Sequence, residues 1–302
     1  MTAPVKEESV KKEPMPEQAA RTLGGGRLAA AIKARVAAVT ADWNQTGLQT
    51  SLAVVVATDD ESTLWYVRSI ASSAAKVGVG CEVVDLGTAA TEQEIAGRLD
   101  ELSLDPDVHG IILQTPVPAG VSAARLVGHI APEKDVDGAN PVSLGRLAVG
   151  EPAFPPATAQ AVVELLDYHR IPVAGRHVAV VGRSAVVGKP LLHLLLQRDA
   201  TVTICHSRSQ PLADYTKLAD IVAVAIGRPE MITADHVSPG AVVIDVGTNV
   251  VSDSRLVGDV AAESVGNVAS ALSPVPGGVG SVTTAILLMH TVDAALASRS
   301  SR

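Results

Sequence analysis

The run VAVVGRSAVVGKP (178–190) carries residue types that could bind a phosphorylated cofactor. Its apolar start reads as a strand, Gly182 permits a tight turn, and a helix opens immediately after. Such a helix start offers free N–H groups and a positive dipole end to a pyrophosphate. The spacing departs from G-x-G-x-x-G, because Ser184 stands at the middle glycine and Gly188 comes one residue late. About 20 residues further on, folds that bind NAD place an acidic residue against the ribose hydroxyl. Here the next strand ends in Cys205, His206, Ser207, Arg208 and Ser209, with nothing acidic. Arg183 and Arg208 suit a 2′-phosphate through charge-assisted hydrogen bonds. The pattern therefore favours NADP over NAD, the alternative being two solvated surface arginines.

A second group centres on Tyr66. It falls near the start of a helical pattern that brings Ser69, Ile70 and Ser73 onto its own face, three, four and seven residues on. Asp137, in KDVDG, could bind a polar ligand, although aspartate before glycine is also ordinary turn chemistry. Arg68 and Lys76 are rotated away from the Tyr66 face, and a guanidinium is a poor proton acceptor. His109 and His206 lie at strand ends without metal-ligand spacing, so no metal site is expected and both read as structural histidines. Motifs of the GxSxG, P-loop or HExxH type, which would point to a hydrolase or kinase, do not occur.

The elements that must position these groups alternate between strand and helix. Residues 27–43 have helical apolar spacing. SLAVVVA (51–57), CEVVDLG (81–87) and HGIILQ (109–114) read as strands, separated by a helix over 62–77 and one opening at Thr91. Glu94 makes that opening a capping box. Residues 119–130 are expected to be mostly helical, and 131–158, rich in Pro, Gly and Asn, to form a hinge. After a helix at 159–170 come strands at 177–182, 201–206, 220–227 and 241–247, then an amphipathic helix over 282–298. This order implies an α/β fold with parallel sheets in two lobes.

Composition narrows the class further. The 302 residues allow two domains, and a 47% apolar share with only 2% aromatics suits close helix-on-sheet packing. A net charge of −8 argues against a nucleic-acid partner. The two cysteines, Cys81 and Cys205, suggest a reduced, cytoplasmic setting. No apolar run reads as a membrane span and the start is not a signal peptide. Residues 1–20 read as a disordered tail.

Four segments together, ESTLWYVRSI (61–70), HGIILQTPVP (109–118), PEKDVDGANPVSLGRL (132–147) and SPVPGGVGSVT (273–283), carry a wider pattern. The chain resembles the bifunctional methylenetetrahydrofolate dehydrogenase/cyclohydrolase family, the FolD type, over nearly all of residues 22–298. The resemblance implies a folate-binding catalytic domain from 21–158 plus 281–302, a Rossmann-type NADP domain from 159–280, and a cleft between them. It implies that Tyr66 stacks on the folate, that Asp137 hydrogen-bonds the pterin, and that Pro116, Gly277 and Gly278 wall the pocket. Gln114 matches the glutamine that positions the family's catalytic lysine. Gly182, Arg183, Ser184, Ser207, Arg208 and Thr248 match cofactor contacts. It further implies a homodimer through the NADP lobes.

One departure bears on chemistry: the family's Tyr-x-x-x-Lys pair ends here in Ile70. Oxidation of the methylene bridge needs positioning and a dry cleft, whereas hydrolysis of the resulting cation needs a base worth roughly 10²–10⁴-fold. The expectation is a dehydrogenase with weak or absent cyclohydrolase. A bifunctional enzyme with another base, or a non-catalytic paralogue that binds NADP or folate, are the alternatives. The family's Pro-Cys-Thr-Pro-x-Gly run also differs, reading Pro156, Ala157, Thr158, Ala159, Gln160, Ala161.

Overall fold

A computed structural model of the protein describes residues 19–45, 49–251 and 255–300. Of the expected tail, residues 1–18 lie outside the described residues. Ala20 belongs to the fold instead, its N–H bonded to the Gly266 carbonyl at 2.9 Å.

In chain order the first half comprises β1 (Arg21–Thr22), α1 (Gly26–Gln45), β2 (Ser51–Val56), α2 (Glu61–Lys76), β3 (Gly80–Asp85), α3 (Glu92–Leu104), β4 (Gly110–Leu113), α4 (Ala123–Leu126), α5 (Pro141–Val149) and α6 (Ala157–Tyr168). The second half comprises β5 (His177–Val181), α7 (Gly188–Leu196), β6 (Thr201–Cys205), α8 (Ala213–Thr216), β7 (Ile221–Val224), β8 (Val242–Asp245), β9 (Asn249–Val250), β10 (Leu256–Val257), α9 (Ala262–Gly266), β11 (Ala271–Leu272) and α10 (Val279–Ser300).

Two parallel sheets result. The first has the order β3-β2-β4 and the second the order β1-β11-β8-β7-β5-β6. In β2 the residues from Leu52 to Val56 are buried without a break, as strands covered on both faces require. At α3 the Thr91 hydroxyl accepts from the Glu94 N–H while the Glu94 carboxylate accepts from Thr91, closing the capping box.

Four expectations change. Arg21–Thr22 pair with β11 in the second sheet rather than opening the first lobe, because the chain enters along that sheet's edge. Residues 119–130 hold only the short α4 and a 3-10 turn at Val127–His129. The hinge stretch contains the helix α5, capped by the Asn140 side chain, with Pro141 in its first turn and Gly150 closing it in the left-handed conformation. Finally, α10 is not amphipathic. It is long and apolar enough to cross a membrane by composition alone, yet most of it is buried in the core of this fold, packed against α1 and α6.

Candidate active site

Tyr66 lies on α2, whose start is fixed by Asp60: its carboxylate accepts from the Thr63 N–H at 2.8 Å and the Thr63 hydroxyl at 2.7 Å. The Thr63 hydroxyl also reaches the Thr115 carbonyl at 3.3 Å. That contact sets the Gln114–Pro116 loop, which follows β4 through a cis Thr115–Pro116 bond, beside the first turn of α2. Gln114 is half-buried there, its N–H bonded to the Val55 carbonyl, while Pro116 is exposed.

The Tyr66 phenol lies close to the side chain of Thr284 on α10, and it feels the charge of Asp137. Burial first and that carboxylate second push the phenol up to about 12, so it stays protonated at neutral pH. Asp137 is itself pushed up to about 7, by burial and then by the neighbouring Asp135. Three segments far apart in the sequence thus converge on one polar spot.

The loop bearing Asp137 is held from within. Asp135 is fully buried and accepts from the Ala139 and Asn140 N–H groups at 3.0 and 2.8 Å. Gly138 adopts φ +66°, and a Cβ there would strike Pro155 and Pro156, so glycine is required on both counts. Of the two aspartates in DVD, the first shapes the loop and the second is half-buried beside it.

Ile70, one turn after Tyr66, is 0% exposed and belongs to the central apolar cluster. Ser69 and Ser73 are half-buried, while Arg68 is exposed. Lys33 of α1 brings an amine to this helix, at 3.4 Å from the Ser73 hydroxyl. Ser73 stands about 10 Å along the helix axis from Tyr66, at 1.5 Å per residue, on the far side of Ile70. Burial first and the charge of Lys76 second hold that amine below its usual range.

Gly277 (φ +101°) and Gly278 form the bend that enters α10, and the Gly277 carbonyl accepts from the Gly25 N–H at 2.8 Å. They lie at the foot of the helix that carries Thr284.

At the carboxyl end of β5, the Gly182 N–H bonds the Cys205 carbonyl at 2.9 Å. The turn holding Arg183 and Ser184 is therefore adjacent to the loop holding Ser207 and Arg208. All four residues are exposed. A Cβ at Gly182, where φ is +129°, would strike the Ala225 carbonyl. The Ser184 hydroxyl accepts from the Val187 N–H at 3.1 Å, just before α7 begins. A tight glycine turn, a helix start and two exposed guanidinium groups without an ion pair among the described residues suit a dinucleotide phosphate end. His206 has its Nδ1 occupied by the Arg208 N–H at 3.2 Å, and His109 accepts likewise from the Ser51 N–H at 3.2 Å. Among the described residues no group of His, Cys, Asp and Glu could hold a metal ion, and both cysteines are free.

Thr248 is exposed at the end of β8, next to two carboxylates that sequence reasoning missed. Asp259 accepts from the N–H groups of Ile226, Gly227 and Arg228 at 2.6, 3.0 and 2.8 Å. Asp245 accepts from Gly247, Asp259 and Val260, each at 3.0 Å. Burial pushes Asp245 up to about 6. The two carboxylates fix the loops after β7 and β8, and the Asp-x-Gly run at Asp245–Gly247 was the available signal. Thr284 was also missed; nothing local to it distinguishes it from other small residues of α10.

Comparison with known proteins places this geometry. Residues 23–137 match the catalytic domain of tetrahydrofolate dehydrogenase/cyclohydrolase, and residues 156–299 match its NAD(P)-binding domain. The bifunctional protein FolD 1 of Paenarthrobacter aurescens is 67% identical over 273 residues, covering 90% of this chain and 93% of that protein. The crystal structure of the Campylobacter jejuni FolD methylenetetrahydrofolate dehydrogenase/cyclohydrolase superposes with a TM-score of 0.90 at 35% identity, covering 92% of this chain and 99% of that one. The Trypanosoma brucei FolD, crystallised with NADP and an inhibitor, gives 0.89 at 33% identity over 94% and 99% of the two chains. Two matched domain models and a relative similar along most of its length leave one conclusion: the chain belongs to the tetrahydrofolate dehydrogenase/cyclohydrolase family.

Proposed function

We propose that the protein oxidises 5,10-methylenetetrahydrofolate to 5,10-methenyltetrahydrofolate with NADP, and that it hydrolyses the product weakly or not at all. The observation that carries the second part is the complete burial of Ile70 one turn below Tyr66.

In this reading the Tyr66 ring stacks on the folate, and Asp137 accepts hydrogen bonds from the pterin amino and ring nitrogens. Pro116, Gly277 and Gly278 wall the pocket, and Gln114 faces the reacting bridge. Gly182, Arg183, Ser184, Ser207, Arg208 and Thr248 hold NADP, whose nicotinamide supplies the hydride acceptor. The protein's contribution to oxidation is orientation and exclusion of water. Hydrolysis asks for more, since a water must be activated and a proton removed. A phenol near 12 is not a base at neutral pH, and the Lys33 amine is engaged by Ser73, seven residues on from Tyr66.

A second reading, full bifunctionality, is favoured by one observation: Asp137, near 7, is about half ionised at neutral pH and could take a proton. Assay of NADP reduction with methylenetetrahydrofolate, and separately of methenyltetrahydrofolate hydrolysis, tests both. The proposal expects the first activity to be robust and the second to emerge or rise in Ile70→Lys. Robust native hydrolysis would select the second reading, and absence of NADP or NAD reduction would remove the dehydrogenase. We also propose a homodimer through the cofactor lobes, where β6 leaves a sheet edge unpaired among the described residues. Sedimentation of the native protein tests it.

A further inference from the structure

His290 occupies a junction that the proposed chemistry has not used. It lies on α10, 3% exposed, with the Phe154 ring 4.9 Å from its own. Its Nδ1 is 2.8 Å from the Val136 carbonyl and its Nε2 is 2.7 Å from the Gln160 carboxamide. One imidazole therefore ties together α10, the loop bearing Asp137, and α6.

The proton positions follow from elementary constraints. Burial pushes His290 down to about 4, so the ring is neutral at physiological pH and carries a single N–H. A carbonyl can only accept, so that N–H sits on Nδ1 and donates to Val136. Nε2 must then accept, which requires Gln160 to present its NH2 group. A half-turn of the carboxamide achieves this without changing its shape. It gives up a long bond to Glu164, at 3.4 Å, for a short one to the imidazole.

The Val136 carbonyl belongs to the peptide unit that joins Val136 to Asp137. Because that unit is planar, fixing its oxygen fixes the nitrogen and Cα of Asp137. On the other side Asp137 is followed by Gly138, locked against Pro155 and Pro156. The carboxylate thus projects from a backbone clamped before and after it. We propose that His290 is a positioning residue for substrate: its Nδ1–H, donated to the Val136 carbonyl, sets the direction in which the Asp137 carboxylate meets the pterin.

This inference rests on Asp137 binding the folate, as proposed above. The test compares His290→Asn, which keeps a donor at the place of Nδ1, with His290→Leu, which fills the space without one. For His290→Leu, KM for methylenetetrahydrofolate should rise about 10-fold, the scale expected when a buried carbonyl loses its donor. Its kcat and its KM for NADP should stay within about twofold. His290→Asn should return the folate KM to within about twofold of native, even if both variants melt earlier. His290→Gln, whose longer amide meets Gln160 but not Val136, should behave like the leucine variant, so the result does not hang on one variant folding. An unchanged KM in His290→Leu, or an asparagine variant as poor as leucine, would overturn the role. Calorimetric binding of tetrahydrofolate to the same proteins reads the His290 effect without turnover. It therefore separates a failure of this inference from a failure of the dehydrogenase reading.

Discussion

The Tyr66 phenol meets the side chain of Thr284, on the last helix of the chain, which offsets part of the rise that burial and Asp137 cause. The ring's tilt over the proposed folate site is therefore set across the fold. Removing that partner with Thr284→Val should raise KM for methylenetetrahydrofolate about 3- to 10-fold, with stability lowered by about 1 kcal/mol. Tyr66→Phe should do the same. A double-mutant cycle should show the two losses to be non-additive; additive effects would mean that contact does not position the ring.

Ile70 offers a test of packing against chemistry. Ile70→Ala should cost about 2–5 kcal/mol in urea unfolding, because a fully buried side chain leaves a cavity. Ile70→Met should cost less than about 1.5 kcal/mol. Neither substitution supplies a base, so hydrolysis of methenyltetrahydrofolate should stay flat in both. A rise in the alanine variant would show that exclusion of water, and not the missing amine, restrains that step.

Asp137 makes stability depend on pH in a definite direction. Its native value, about 7, lies above its ordinary value of 3.8, so the folded state holds this proton more tightly than the unfolded chain does. The stabilising effect is full below about pH 4 and is lost as pH rises through 7. Asp137→Asn should accordingly raise the stability of the ligand-free protein at pH 8 by roughly 2–4 kcal/mol, and change it little at pH 4. The same variant should lose folate affinity. A thermal melt that moves equally at both pH values would refute the burial account of this carboxylate.

The choice of dinucleotide should reside largely in Arg208, exposed beside the Gly182 turn. Arg208→Ser should raise KM for NADP about 10- to 100-fold by removing a charge-assisted contact to the 2′-phosphate, and leave KM for NAD within about twofold. If both constants rise together, the arginine supports the loop rather than reading the phosphate.

The fold was legible wherever local physics dominated. The β2 run from Leu52 to Val56 and the Thr91–Glu94 capping box report their structure in a few consecutive residues. Elsewhere tertiary context overruled local pattern. The helix from Pro141 to Val149 is short and sits among turn formers, so its cues, Asn140, Pro141 and Gly150, also read as turn residues. Arg21–Thr22 and Ala271–Leu272 are strands of two residues each, too brief for any period to register. Surrounded by other elements, α10 keeps no polar face to mark its orientation. The same holds for the site. Tyr66, Asp137 and the Gly182 turn lie in motifs, whereas Thr284 and His290 acquire their roles only when α10 is docked against the rest.

The buried Ile70 also bears on what becomes of the product. On the proposed reading, the oxidised one-carbon unit departs as a charged amidinium-like ring, still closed, instead of being opened before release. Its further conversion passes to whichever proton acceptor it meets after diffusing away. A single alkyl group midway along α2 would then decide at which hydration state the carbon enters the surrounding pool.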